Sequence, residues 1–281
     1  MTAADLRPMS IGEVLDRTFS LYKRNFWLFV SITALPFLAL FAFRVGLAAF
    51  STGKLGINPD GKGSIGLAAG AAVGLIVGGI AYLVLVGAAQ AATIFAVSDL
   101  YLGRAASARD SYRRVGAKFF RVLLVLLIVG LSVGVGFVLL IVPGFILLCR
   151  TAVSVPASML EDTRPIASIE RSMELTKGHG WQIFLIFLLV WVMSYVVAII
   201  FQVPFLILAG IAASAHHTLS FGVVVLQNLG AFLSEVLVSP IGTIAFSLMY
   251  YNLRVRKEAF DVQHLMASLE AQPAAGALPT H

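Results

Sequence analysis

The sequence is poor in charge, in cysteine and in recognisable catalytic constellations. Of 281 residues only 12% are Asp, Glu, Lys or Arg, about half of the roughly 25% carried by a soluble domain. Hydrophobic residues make up 59%, and mean hydropathy is +0.93. A soluble fold of this length still leaves about a quarter of its unfolded area exposed, so it would have to present apolar surface to water. That excludes a soluble globular domain. The single cysteine, Cys149, has no intrachain partner and excludes a disulfide scaffold. Hydrophobicity excludes disorder everywhere but at the C-terminal end. No cleavable leader is expected ahead of the first apolar run, because residues 1–25 are polar and amphipathic.

Long apolar runs are what the chain has instead. A helix needs about 20 apolar residues to cross the hydrocarbon core. Six stretches qualify, at 26–50, 65–100, 122–141, 145–160, 181–208 and 221–251. The second and sixth exceed one crossing and are expected to tilt or project beyond the bilayer. The fourth is short, and Pro143-Gly144 predicts a tight turn between it and the third. The expected fold is an all-α polytopic membrane protein, with six transmembrane helices paired as three hairpins in a single domain over residues 1–260. A disordered cytoplasmic tail is expected over 261–281, which contains Gln272-Pro-Ala-Ala-Gly-Ala-Leu-Pro.

Orientation follows from where the cations fall. Sixteen of the 20 Lys and Arg lie in the N-terminal segment, the 101–121 and 161–180 connections and the C-terminal end. The opposite side has only Lys54 and Lys62, while Arg44 and Arg150 lie within spans. With six crossings, both termini are expected in the cytoplasm. The net charge of +6 then matches the positive-inside rule and contact with anionic headgroups. It calls for no nucleic-acid partner, since no recognised motif accompanies it.

Each pair of spans is preceded by a short amphipathic segment, at about 10–24, 105–118 and 165–177. The first opens with the capping box Ser10-Ile-Gly-Glu13, in which Ser and Glu satisfy orphan amides reciprocally. The third has Pro165 in its first turn. Within them Asp16-Arg17-Thr18-Phe19, Arg109-Asp110-Ser111-Tyr112 and Glu170-Arg171-Ser172-Met173 share the order charged, charged, hydroxyl, apolar. An aromatic residue entering the membrane follows each, at Phe26/Trp27, Phe119/Phe120 and Trp181. The pattern suggests a threefold repeat of interfacial helix plus hairpin, and repeats of this kind occur in transporters.

Three strings carry a resemblance. They are Leu6-Arg-Pro-Met-Ser-Ile-Gly-Glu-Val-Leu-Asp-Arg-Thr-Phe-Ser-Leu-Tyr-Lys-Arg-Asn-Phe26, Ile169-Glu-Arg-Ser-Met-Glu-Leu-Thr-Lys-Gly178 and Tyr250-Tyr-Asn-Leu-Arg-Val-Arg-Lys-Glu258. They resemble the bacterial membrane domain of the glycerophosphoryl diester phosphodiesterase family and related uncharacterised polytopic proteins, over roughly residues 6–265. The resemblance implies a bacterial inner membrane, and it carries no activity over to this chain, because stand-alone members are of unknown function. The soluble phosphodiesterase barrel of some relatives, with its His-Arg and Glu motifs and metal-binding carboxylates, has no counterpart in this sequence.

Candidate chemistry is sparse. Gly130-Leu-Ser132-Val-Gly134 matches the string of a hydrolase nucleophile elbow, but it lies mid-span, without the strand–turn–helix context or nearby His the chemistry needs. Glycines four apart read better as a packing face. Gly66, Gly70, Gly74 and Gly78 form a longer stripe of the same kind, and a helix is expected to approach closely along it. No metal or cofactor is expected: His216 and His217 are adjacent rather than on one face. The intramembrane ionisable residues are the lead, because a charge at bilayer depth costs on the order of 3 kcal/mol and needs a partner. Counted at about 1.5 Å per residue from the cytoplasmic ends of their helices, Arg150 and Glu235 come within about 6 Å in depth, so they are expected to pair. Gln227 and Asn228 share the sixth span and are grouped with them. Arg44 is expected to snorkel to the outer headgroups. Two functions fit. One is a non-enzymatic protein that organises the envelope or serves a membrane-protein partner or a second copy of itself. The alternative is a transporter or lipid-handling protein with a polar intramembrane site at Arg150 and Glu235.

Overall fold

The computed structural model describes residues 9–51, 64–216 and 221–270. Among them it has nine helices and no strand: α1 (Ile11–Arg24), α2 (Phe26–Ser51), α3 (Ser64–Tyr101), α4 (Ala108–Leu139), α5 (Ile141–Arg150), α6 (Ser154–Leu160), α7 (Pro165–Thr176), α8 (Gly180–His216) and α9 (Phe221–Glu270). The chain is all-α, and six helical stretches are long and apolar enough to cross a membrane, α5 and α6 together making the fourth. The long helices pack in a ring. α2 lies against α3 and α9, α3 against α4, α4 against α5, α5 against α8, and α8 against α9.

The two ends of the ring differ. At the end called basal below, α6 and α7 pack against α4 and α9, α6 also against α3, and α1 lies chiefly along α9. The largest fully buried side chains gather there, among them Phe29, Ile94, Met159, Leu175, Leu248 and Tyr250. Toward the other, distal end the helices turn apolar side chains outward, such as Ile76, Leu131, Trp191 and Ile207. In water such a surface would be untenable; in hydrocarbon it costs nothing.

The amphipathic segments do not all behave as expected. α1 is a separate helix with both halves of its capping box formed. It runs lengthwise along α9, since Met9 N–H donates to Asn252 Oδ1 (2.8 Å) at one end and Tyr22 OH to the Leu237 carbonyl (2.8 Å) at the other. α7 is also separate, with Pro165 in its first turn. The second segment is not a helix of its own, because α4 runs unbroken from Ala108 to Leu139. Nothing between Lys118 and Val122 breaks a helix, so it continues into the span. The shared hydroxyls nonetheless sit alike: Thr18, Ser111 and Ser172 are each 0% exposed.

The reversal between α4 and α5 is also placed differently. The chain turns at Leu140, which is extended (φ −161°, ψ 144°), and Pro143-Gly144 lies inside α5. A proline in the first turn loses no hydrogen bond, and glycine there serves packing. A Cβ at Gly144 would meet the Phe137 ring at 2.6 Å, and one at Gly136 would meet the Gly144 backbone at 3.0 Å. The fourth span is broken at 151–153. α7 satisfies the break: Ser172 Oγ and Thr176 Oγ1 donate to the Arg150 carbonyl (2.8 and 3.2 Å), and Val153 N–H donates to Ser172 Oγ (3.3 Å).

In the glycine stripe, a Cβ at Gly74 would lie 3.4 Å from Leu47, and one at Gly78 3.2 Å from Phe43, so both face α2. Gly70 faces open space, and the surroundings of Gly66 lie outside the described residues. Gly130 and Gly134 meet no neighbour, while Ser132 Oγ donates to its own helix at Ile128. The region expected as tail begins as helix, since α9 continues to Glu270. Residues 271–281, like His217, lie outside the described residues.

Candidate functional site

Glu235 pairs with Arg44, and not with Arg150. The guanidinium meets the carboxylate through both nitrogens, Nη2–Oε1 at 2.9 Å and Nη1–Oε2 at 3.3 Å, the bidentate geometry that makes an arginine–carboxylate contact strong and directional. α2 and α9 pack side by side, with Thr33 Oγ1 donating to the Val236 carbonyl (3.0 Å). Arg44 lies eleven residues further along α2. Helical side chains lean toward their own N-terminus, so the long arginine reaches back along α2 to Glu235 rather than outward to headgroups.

Glu235 borders a recess of about 280 Å³ between α2, α3, α8 and α9. Its polar lining is Tyr82, Ser194, Gln202, Ser234, Glu235 and Ser239, with Phe37, Val86, Ala198 and Val238 as apolar wall. Both charged side chains remain about 30% exposed, so the carboxylate is neutralised but not sealed off. Ser194 and Ser234 donate to carbonyls of their own helices, at Val190 and Ala231, leaving their lone pairs to the recess. Gln227 and Asn228 are not among its walls. Asn228 Nδ2 instead donates to the Val224 carbonyl (2.8 Å). Sequence reasoning missed the α8 contribution, although Ser194, Ala198 and Gln202 recur every four residues and therefore share one helical face.

Arg150 sits elsewhere. Because α7 folds back beside α6, the Arg150 carbonyl lies against Thr176, and α8 starts four residues later at Gly180. Arg150 is therefore level with the start of the apolar run of α8, not deep within the bundle. The depth count treated 150–161 as rising directly from the membrane edge, and the returning α7 shifts that reference. Arg150 lines a larger groove of about 580 Å³ between α5, the end of α7 and the start of α8.

A third polar cluster holds the basal end together. Glu161 accepts from Tyr250 OH (2.7 Å) and pairs with Arg171 (3.3 Å), which also reaches Glu258 (3.1 Å) and Glu174 (3.3 Å). Burial disfavours the Arg171 charge, but Glu161 and Glu174 outweigh it and hold its pKa above the usual value. Asp99 pairs with Arg114, and Asp162 with Lys118 (2.8 Å) and Arg121 (2.5 Å). Hydrogen bonds from those two cations hold the Asp162 carboxyl below its ordinary range. These are ties between helices, each carboxylate with its cation.

No family model, curated protein or solved structure matches the chain. The geometry therefore carries the functional argument alone. Among the described residues no three His, Cys, Asp or Glu side chains converge as a metal would need. What the recess offers is a carboxylate, an amide, a phenol and hydroxyls within one apolar surround. That set suits recognition of a small polar group by hydrogen bonds and charge.

Proposed function

We propose that this chain is a non-enzymatic multi-pass protein of a bacterial inner membrane, with both termini cytoplasmic, that binds a small polar solute or headgroup in the recess beside Arg44 and Glu235. The observation that carries the reading is the recess itself. Six polar side chains from three helices border a space of about 280 Å³ at span depth, where unshared polar groups are costly. In this reading the basal end, with its cations, faces the cytoplasm and anionic headgroups. The family resemblance of the N- and C-terminal strings supports the bacterial setting.

Native mass spectrometry of the protein extracted gently from its own membrane tests the reading. One stoichiometric small species, lost in a folded Glu235→Gln variant, is the expected result. A chain carrying only bulk lipid in both forms contradicts it.

One observation favours a second reading, that of an envelope-organising or accessory subunit. Arg44 and Glu235 satisfy each other bidentately, as a structural tie would. That reading is supported instead if the species that co-purifies is a protein, with the recess empty.

A further inference from the structure

The groove at Arg150 is built unlike the recess. Arg150 and Lys177 stand at its mouth, and no carboxylate lines it. Neither cation forms an ion pair with any described residue. The first turn of α8 opens at the same mouth, and its free N–H groups add to the positive potential there. Below the mouth the lining turns apolar through Phe145, Trp181 and Phe184. Phe145 and Phe184 also wall a second, wholly apolar hollow of about 360 Å³ that extends to Trp191.

The two spaces share Phe145 and Phe184 as walls, and together their linings reach along α8 from Trp181 to Trp191. Trp181 and Trp191 are ten residues apart on α8, or about 15 Å at 1.5 Å per residue. That is about half of the roughly 30 Å hydrocarbon core, the depth of one leaflet. The exposed Trp181 marks the mouth as the level of the membrane interface.

We infer that the two spaces act as one slot that binds one anionic phospholipid, with its phosphate between Arg150 and Lys177 and an acyl chain along α5 and α8 toward Trp191. Two unpaired cations at an apolar slot one leaflet deep match that molecule in charge, in polarity order and in length. A zwitterionic lipid fits the slot but brings a cation to the mouth. The inference does not depend on the recess, so Glu235→Gln leaves this site unchanged.

The test uses the whole chain with Trp27 and Trp191 replaced by Phe, so that Trp181 alone fluoresces. It is reconstituted in phosphatidylcholine vesicles containing brominated phosphatidylglycerol or brominated phosphatidylcholine. Quenching is expected to saturate at roughly 30-fold lower mole fraction for the brominated anionic lipid, the factor to which about 2 kcal/mol for two cations at a membrane surface converts at 1.4 kcal/mol per tenfold. Arg150→Gln/Lys177→Gln removes the preference. Arg104→Gln/Arg109→Gln, which takes the same charge from the exposed basal surface, keeps it. Excess inorganic phosphate does not relieve the quenching. Equal saturation by the two lipids in the unsubstituted site overturns the inference, and that comparison stands even if the double variant fails to fold. Retention of the preference in Arg150→Gln/Lys177→Gln, its equal loss in the control, or displacement by phosphate likewise overturns it.

Discussion

Removing one partner of the Arg44–Glu235 pair should destabilise the protein, and removing both should restore most of the loss. Breaking a fully buried ion pair leaves an uncompensated charge and costs about 3–5 kcal/mol, whereas exposed pairs are worth about 0.2–1 kcal/mol. With both side chains about 30% exposed, the cost falls between, at about 2 kcal/mol for either substitution. Glu235→Gln strands the guanidinium and Arg44→Ala strands the carboxylate, each without its bidentate partner. Arg44→Met/Glu235→Gln removes both charges and should recover most of the stability. Thermal unfolding of the detergent-purified proteins, followed by loss of the monodisperse peak, gives the double-mutant cycle. Additive single effects would refute the reasoning.

Four other substitutions have definite outcomes. Asp162→Asn keeps the left-handed backbone (φ 58°), which Asn tolerates, but loses two ion pairs. Because the Asp162 pKa is lowered on folding, the pairs' contribution is present above about pH 4 and is lost on acidification. The variant's thermal midpoint should therefore lie slightly below that of the parent at pH 7, by well under 1 kcal/mol at this exposed site, and meet it in acid. Gly230→Ala places a Cβ 2.7 Å from the Phe201 carbonyl oxygen and should cost about 1–3 kcal/mol by forcing α8 from α9. Gly70→Ala meets nothing and should gain up to about 1 kcal/mol in helix propensity. Thermal midpoints that move alike for the two glycines would contradict the packing described. Ser172→Ala leaves the Val153 N–H without its acceptor and should cost about 1–3 kcal/mol, measured the same way.

The spans were legible because length and apolarity alone decide them, and α9 carries Pro240 without ceasing to be one helix. The hydroxyl in each amphipathic segment was legible too, since Thr18, Ser111 and Ser172 are all buried. The ion pair was half legible. A charge at Glu235 demanded a partner, but choosing between Arg44 and Arg150 needed the tertiary neighbours. The count along the chain assumed a straight climb from Glu161 to Arg150. The break at 151–153 and the returning α7 undo that assumption, and neither carries a local signal stronger than Thr151 and Pro156. The recess was the least legible feature. Ser194 and Gln202 are two polar residues in a long apolar run, and only the arrival of α9 beside α8 gives them something to face.

The most direct test of the account is native mass spectrometry on Ser194→Val/Gln202→Leu, which strips polar groups from the recess and leaves Arg44–Glu235 intact. The account predicts a folded protein, of unchanged thermal midpoint, that has lost a stoichiometric small species present on the parent chain. Retention of that species on the variant, or its absence from both, would contradict the claim that the recess is a binding site.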